Sequence, residues 1–328
     1  MRRREFIALL GVSAAWPLAG RAEQLQVVRR VGVLISADES EASRRFEPFR
    51  DGLVQLGWSE PRNLRLDYRV THGSRDLADA YARELIGLAP DAIFASPGPA
   101  VEAVRRFTST IPVVFTTSTD PVAAGYVQSY AHPGSNLTGF TQFETSIPSK
   151  YLQLLKDVAP QVTRVGVLRS EIIAQGRRDY AAVEAAARPF GITPIDLLHH
   201  EDAPAELERV ITAFAREPGG GLIVPPGNLY SEHHELIIAL ANQFHLPTVY
   251  FDRLFADAGG LMSYGVDLID IWRRAASYLD RILKGEKPGD LPVQAPTKFQ
   301  LVINLKTAKT LGIDVPLGLS AAADELIE

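Results

Sequence analysis

One heptapeptide occurs twice in the chain almost unchanged, and each copy opens the same kind of series. Arg30–Ser36 and Arg164–Ser170 share six of their seven residues. Behind each copy, short apolar segments alternate with segments whose apolar residues recur every three or four positions, which predicts strands followed by helices. Val-Gly-Val-Leu alone is a common strand sequence and can recur by chance. The matching order of elements after each copy favours two similar α/β lobes.

The alternation of strands and helices predicts the fold of each lobe. Such series form right-handed βαβ units, which build a parallel sheet covered by helices on both faces. After the second series come a predicted strand at 260–265, a helix at 268–283 and a proline-rich segment at 288–296. These extra elements predict that the chain crosses between the lobes more than once. We therefore expect an α/β protein of two lobes joined by a hinge of several crossovers.

The expected lobe boundaries follow from these elements. Each lobe is predicted to contain two segments of the chain, and three shorter regions are predicted to cross between them. Lobe 1 is 28–118 with 253–288, lobe 2 is 142–251 with 291–328, and the approximate crossovers are 119–141, 252 and 289–290.

Residues 1–22 have the three-part layout of an export signal. Arginines at positions 2–4 precede an apolar run from Phe6 to Ala19, and small residues end at Ala22. The run is shorter than the roughly 20 apolar residues that span a bilayer. We therefore expect a periplasmic protein, not a membrane-spanning one, with cleavage near Ala22. The arginine pair resembles a twin-arginine signal, and a general secretory signal is the alternative.

Composition and missing motifs exclude several classes of function. The chain has no Cys, which excludes disulfides, thiol nucleophiles and a lipid-bearing N-terminal Cys. Its formal charge is −5, with no basic run after the N-terminus, so we expect no nucleic-acid partner. Gly134–Gly139 has the glycine spacing of a phosphate loop without its Lys. The neighbouring His pairs at 199–200 and 233–234 lack the spacing of metal ligands and are expected at the solvated surface.

The remaining polar residues follow predicted strands, at the edge where α/β sheets bind ligands. Ser96 and Gly98 precede a helix whose N–H groups at Ala100 and Val101 can hold a carboxylate. Asp120 can pair with an ammonium group, and tyrosines can stack on an apolar or aromatic body. The predicted ligand-binding residues are Ser36, Ser96, Gly98, Thr117, Asp120, Asn228, Tyr230, Tyr250, Asp252 and Tyr264. Singly, each can serve a turn or a core edge; together they indicate a cleft for a small zwitterion, without catalytic residues, metal or cofactor.

Longer motifs carry a resemblance to one family. They are Asp120-Pro-Val, His132-Pro-Gly-Ser-Asn-Leu-Thr-Gly139, Gly259-Gly-Leu-Met-Ser-Tyr-Gly265, Tyr278-Leu-Asp-Arg-Ile-Leu-Lys-Gly285, Ile303-Asn-Leu-Lys-Thr-Ala308 and Ala323-Asp-Glu-Leu-Ile327. In this order they resemble the ABC-transporter substrate-binding protein family that includes tryptophan-binding lipoproteins. The resemblance covers essentially all of the chain after the signal. It implies a type I periplasmic-binding-protein fold, in which two Rossmann-like lobes joined by three crossovers close on a ligand, and known ligands include aromatic amino acids.

The sequence departs from that family in two places. It has no Cys to carry a lipid, so the protein is expected to be free in the periplasm. Ser96-Pro-Gly-Pro-Ala100 has more proline than the usual loop, which affects the shape of a carboxylate site.

The resemblance implies a monomer that captures an aromatic or apolar amino acid, or a related carboxylate, for an inner-membrane ABC permease. A periplasmic sensor that signals to a membrane receptor is the alternative. An exported hydrolase requires a nucleophile with an oriented base, which the sequence does not offer.

Overall fold

Lobe 1 is built on a sheet of five parallel strands in the order β2-β1-β3-β4-β5. The computed structural model describes residues 27–117, 120–144, 146–171, 174–200 and 203–328, and the predicted export signal at 1–22 lies outside them. The elements are β1 (Arg29–Ile35), α1 (Glu39–Gln55), β2 (Leu64–Val70), α2 (Arg75–Gly87), β3 (Ala92–Ser96), α3 (Gly98–Phe107), β4 (Val113–Thr117) and β5 (Leu137–Thr141).

Lobe 2 is built on a sheet of seven strands in the order β12-β11-β10-β9-β8-β6-β7, in which only the β10–β11 pair is antiparallel. Its first elements are α4 (Ile147–Val158), β6 (Arg164–Ser170), α5 (Ala174–Ala187), β7 (Thr193–His199), α6 (Pro204–Ala215), β8 (Gly220–Val224), α7 (Asn228–Glu232) and α8 (His234–Gln243). The chain continues with β9 (Thr248–Tyr250), α9 (Arg253–Asp257), β10 (Met262–Val266), β11 (Phe299–Asn304), α11 (Leu305–Thr310), α12 (Leu317–Ala322) and β12 (Glu325–Ile327). Between β10 and β11 lies α10 (Leu268–Leu283), which packs in the core of lobe 1.

Side-chain caps determine where several helices begin. The carboxylate of Asp38 accepts a hydrogen bond from the first turn of α1, and Ser74 and Asp267 do the same for α2 and α10. Each cap satisfies an N–H group that has no partner within the helix. After α1, Gly57 adopts a φ of 93°, which glycine tolerates and other residues avoid. The helix end predicted at Gly57 is confirmed.

An aromatic cluster holds the core of lobe 1 together. The ring of Phe49 on α1 stacks on that of Phe94 on β3 at a centroid distance of 4.4 Å. Trp272 on α10 meets Phe94 edge-on at 4.9 Å and is fully buried. Because α10 follows a strand of lobe 2, the chain has returned to complete the core of lobe 1.

The chain crosses between the sheets after β5, after β10 and after α10. β5 was expected in the crossover region 119–141, but it pairs with β4 over its whole length and so belongs to the first sheet. β10 was placed with lobe 1 in the segment 253–288, but it pairs with β9 and β11 of the second sheet. Both differences arise because the partner of a strand is set by long-range packing, which a local pattern does not record.

The two sheets flanked by helices confirm the predicted fold class. Within the described ranges, the helices are too short or too polar to traverse a lipid bilayer. The carboxyl ends of β1, β3 and β4 in lobe 1 and of β8 and β9 in lobe 2 carry most of the residues that the sequence singled out.

Candidate ligand-binding site

Four of the predicted ligand-binding residues lie together at the carboxyl ends of strands in lobe 1. The N–H of Ser36, after β1, donates a hydrogen bond to the carbonyl oxygen of Ser96 at 2.7 Å. The hydroxyl oxygen of Thr117 lies 3.8 Å from the position that a Cβ on Gly98 would take. The Ser96 hydroxyl is hydrogen-bonded to that of Thr116. We call Ser36, Ser96, Gly98 and Thr117 the strand-end patch; its serines and threonine are buried, and Gly98 at the start of α3 is partly exposed.

The N-terminus of α3 is less open to an anion than its sequence suggested. The N–H groups of Ala100 and Val101 both donate to the carbonyl oxygen of Pro97, at 3.0 and 3.3 Å. They are ordinary helical hydrogen bonds, so the expectation that these two groups bind a carboxylate is wrong. Gly98 heads the helix, where an N–H has no acceptor within the helix. Any anion at this end would therefore contact the N–H of Gly98.

Asp120 lies in a turn after β4 and is partly exposed. One of its carboxylate oxygens accepts a hydrogen bond from the N–H of Val122 at 3.0 Å, which fixes its orientation. Burial, together with the negative charge of Asp120, raises the pKa of Tyr130. Tyr130 therefore lies near this carboxylate, although no sequence pattern pointed to it.

The structure places Tyr230 and Tyr250 in the core of lobe 2, contrary to the ligand-stacking role expected of them. Tyr230 is buried, and its hydroxyl lies 3.1 Å from Nε2 of His199. Tyr250 is fully buried and stacks on Phe255 at a centroid distance of 4.7 Å. His199 itself was expected at the solvated surface and is also buried. Their rings are occupied by core packing in this conformation, so they are unavailable to a ligand.

Tyr264 and Asn228, two further predicted ligand-binding residues, also belong to lobe 2. Tyr264 on β10 is partly exposed, and its ring stacks on Phe299 of the neighbouring strand with an interplanar angle of 10°. Burial and the charges of Asp324 and Glu144 raise its pKa, so the hydroxyl stays neutral. Asn228 is the first residue of α7, just beyond the carboxyl end of β8.

Asp252 forms a buried ion pair between the lobes. One carboxylate oxygen accepts from the N–H of Leu254 at 2.8 Å and caps α9. The other accepts from the guanidinium of Arg45 on α1 of lobe 1 at 3.2 Å. Arg45 also pairs with Glu41 on its own helix, and Arg44 lies 3.8 Å from Asp252. Asp252 was predicted to bind a ligand, whereas its carboxylate is here engaged by the opposite lobe.

Two further contacts show that the lobes meet along the cleft. Although burial acts against it, hydrogen bonds from Glu41 and Ser40 at the start of α1, together with the nearby imidazole of His234, hold the pKa of Asp38 below its usual range. Asp38 belongs to lobe 1 and His234 to lobe 2. A carboxylate oxygen of Glu232 lies 2.5 Å from where a Cβ on Gly73 would stand. The structure therefore represents a closed arrangement of the two lobes.

Cavities run along the crossovers between the lobes. One of about 250 Å³, the interlobe cavity, lies between α1 of lobe 1 and the loops after β9 and β10. One of about 140 Å³, the side cavity, lies between α4 and α5 of lobe 2. A small space between them is lined by Phe251 and Gly265 from the first and by Gln142 and Tyr151 from the second. Across the described part of the chain, no cluster of His, Asp and Glu is placed to hold a metal ion.

Gly265 sits where β10 passes the end of β9, and we predict that it tolerates no side chain. A Cβ at this position would lie 1.9 Å from the carbonyl oxygen of Phe251, the residue before Asp252. Gly265→Ala should therefore lower the free energy of unfolding by about 3 kcal/mol, at the upper end of overpacking costs, when measured by urea denaturation. Gly318→Ala is the control, because nothing lies within 4 Å of a Cβ there. Equal stability of the two variants would contradict the close approach.

Comparisons with known proteins agree with the geometry of two lobes. A tyrosine-binding protein of Clostridioides difficile (strain R20291) is 24% identical over 285 residues, which are 86% of this chain and 81% of that protein. The crystal structure of a conserved domain protein from Vibrio cholerae matches with a TM-score of 0.84 at 28% identity, over 91% of this chain and 99% of the other. The structure of an ABC domain in complex with L-Trp from Streptococcus pneumonia also matches with a TM-score of 0.84, at 22% identity, over 92% of this chain and 100% of the other.

The match to a family model covers both lobes and every crossover. The model describes ABC transporter substrate-binding proteins, and it aligns with residues 29–327. The motifs that resembled this family are spread over the same range. This chain therefore belongs to the family of ABC transporter substrate-binding proteins.

Proposed function

We propose that the protein captures an amino acid with an aromatic or apolar side chain, or a related carboxylate, between its lobes and delivers it to an ABC permease of the inner membrane. The proposal includes export directed by residues 1–22, a monomeric protein in the periplasm, and binding without chemical conversion of the ligand. Family membership supports a small-molecule ligand and a permease partner. The tyrosine and L-Trp bound by two similar proteins support an aromatic amino acid.

The strand-end patch is the observation that carries the choice of an amino acid. The Gly98 N–H, at the partly exposed start of α3, can donate a hydrogen bond to a carboxylate, and such charge-assisted bonds are the stronger kind. Asp120 follows the same strand, β4, and offers a carboxylate to an ammonium group. An α-amino acid carries both groups on one carbon atom. A donor and a carboxylate at one sheet edge match that pair better than they match a sugar or a simple acid.

Closure supplies the physical link between binding and delivery. A ligand shifts the balance between open and closed lobes only by as much as it prefers the closed form. Contacts between the lobes, such as the ion pair of Arg45 with Asp252, hold this closed arrangement. A ligand that bridges the strand-end patch and lobe 2 would add to them. A permease could then distinguish loaded from empty protein by the angle between the lobes.

A thermal-shift screen tests this function. The chain without residues 1–22 is heated with each of the common amino acids and with a set of sugars as controls. At a concentration about 100 times its Kd, a ligand adds about 2.7 kcal/mol of stability, which for a chain of this length raises Tm by about 4 °C. We expect such a rise with aromatic amino acids. The proposal would be refuted if only sugars raised Tm, or if no amino acid raised it.

A further inference from the structure

The segment that follows α10 stays on lobe 1 although the sequence placed it in lobe 2. We call residues 291–298 the third crossover. Val293 is buried in the core of lobe 1. The N–H of Gln294 donates to the carbonyl oxygen of Gly139 at 2.9 Å, and the carbonyl oxygen of Gln294 accepts from the N–H of Thr141 at 3.0 Å. The first half of the third crossover therefore runs along β5 as part of lobe 1.

A polar stripe on α10 contacts the third crossover near both of its ends. Asp270, Arg274 and Tyr278 follow one another at intervals of four, so they lie on one face of the helix. The Tyr278 hydroxyl donates to the carbonyl oxygen of Pro292 at 2.6 Å. Asp270 is 9% exposed, and its carboxylate accepts from the ammonium group of Lys298 at 2.9 Å. The stripe therefore holds the crossover against a helix of lobe 1.

Arg274, in the middle of the stripe, bonds to side chains of the crossover. Its guanidinium donates to the hydroxyl oxygen of Thr297 at 2.9 Å and to the amide oxygen of Gln294 at 3.5 Å. The same group lies over the ring of Phe140 on β5, 5.2 Å from the ring centroid. A planar fork of donors suits several acceptors at once. Arg274 therefore joins the third crossover to both α10 and β5.

The chain changes lobes directly after these contacts. Asp267 caps α10, and its N–H donates to the carbonyl oxygen of Lys298 at 3.1 Å. The next pair along the two strands, Val266 with Phe299, already belongs to the ladder of β10 and β11 in lobe 2. Two crossovers thus leave lobe 1 side by side, one between Val266 and Asp267 and the other between Lys298 and Phe299.

We propose that Arg274 is a positioning residue of the hinge. By holding the third crossover on lobe 1 up to Lys298, it confines bending in the crossovers after β10 and after α10 to the neighbouring links 266–267 and 298–299. Hinges are a few residues at the ends of elements, which absorb the change in backbone angles. With the crossover released, residues 295–298 become a second place to bend, and the lobes take orientations outside a single closing path. The inference concerns how the lobes move and holds whichever ligand binds between them.

Spin labels measure the motion of the lobes, because the chain has no Cys and labels attach only where one is introduced. Asp51→Cys on α1 and Glu208→Cys on α6 give each lobe one exposed label. Double electron–electron resonance on the unliganded chain without residues 1–22 yields the distribution of interlobe distances. Arg274→Met keeps an aliphatic chain beside Phe140 and loses the hydrogen bonds, so we expect a broader distribution than in the wild type.

Hydrogen exchange measures the clamp itself. Loss of the bonds from Arg274 should speed amide exchange in the segment 294–299 by about tenfold, as the loss of a hydrogen bond from a charged donor predicts. Arg273→Met is the matched control, since the neighbouring side chain is exposed and forms no ion pair among the described residues. It should leave both exchange and distances as in the wild type. Thr297→Val removes one acceptor without altering α10, and it should act in the same direction to a smaller extent even if Arg274→Met fails to fold.

The two readouts separate a hinge role from a structural one. Unchanged exchange in the segment 294–299 would show that Arg274 does not hold the third crossover. Faster exchange with an unchanged distribution of interlobe distances would show that the clamp does not govern the motion. Either result overturns the inference and leaves the proposed function untouched, because neither measurement involves a ligand.

Discussion

Arg45→Met weakens ligand binding by about 10- to 100-fold, since it removes the positive partner of the buried ion pair between the lobes. The side chains of Arg45 and Asp252 are 8% and 5% exposed, and that of Glu41 is 10% exposed. Without Arg45, both carboxylates stay buried in the closed form and lose their main counter-charge. Breaking a buried pair in this way costs about 3–5 kcal/mol.

Most of that cost falls on the closed form alone. When the lobes separate, water can solvate Asp252 and Glu41, so the open form of the variant is less affected. The equilibrium therefore shifts toward the open form, and apparent affinity falls in proportion to the closed population. Residual pairing of Asp252 with Arg44 at 3.8 Å reduces the loss, which is why the expected effect is below the full cost of a broken pair.

The neighbouring arginine provides a matched control. Arg44 undergoes the same substitution on the same helix, but its side chain is 37% exposed and it lies farther from Asp252. Exposed ion pairs contribute about 0–1 kcal/mol, so Arg44→Met should change affinity by less than about fivefold. Calorimetry measures both variants against the same ligand, and small-angle scattering measures how open each one is. Wild-type affinity in Arg45→Met would show that the pair does not stabilise the closed lobes.

Trp272→Ala should lower the free energy of unfolding by about 3–5 kcal/mol, the range for removing a large buried aromatic ring. Trp272 is fully buried between Phe49 and Phe94, with ring centroids at 6.5 and 4.9 Å. Its loss would leave a cavity shared by α1, β3 and α10. Because α10 follows a strand of lobe 2, the same ring fixes the returning segment of the chain onto lobe 1.

Urea denaturation followed by circular dichroism measures this effect. Trp272→Phe is the companion variant, since a phenyl ring keeps one aromatic edge against Phe94, and it should cost less than half as much. The indole N–H has no hydrogen-bond partner among the described residues, so neither substitution removes a hydrogen bond. A loss below about 1 kcal/mol for Trp272→Ala would contradict a core built around this residue.

Local patterns predicted the framework of the fold because strands and helices record their burial in the sequence. Val31 and Val33 of β1 and Val165 and Val167 of β6 are all buried, as the repeated heptapeptide predicted. The same patterns could not assign β10 to a sheet, because a strand with both faces buried looks the same in either lobe. Strand order depends on contacts that are distant along the chain.

The candidate site was predicted only in part for the same reason. The strand-end patch was found because parallel strands bring their carboxyl ends to one edge. The Arg45–Asp252 pair joins residues 207 positions apart, and the sequence around either residue does not indicate its partner. A weaker signal did exist: Glu41, Arg45 and Phe49 follow one another at intervals of four, which places the charged pair on the buried face of α1. The ligand-stacking role predicted for Tyr250 is wrong because the local sequence around an aromatic residue at a strand end is the same whether its ring faces a cleft or a core.

Calorimetric titration of the chain without residues 1–22 against L-tyrosine and L-tryptophan tests the central claim most directly. We expect a saturable isotherm with one ligand per chain for at least one of the two. The absence of saturable heat with both ligands and with the other aromatic and apolar amino acids, for a sample that unfolds cooperatively, would contradict the claim that this chain binds such an amino acid between its lobes.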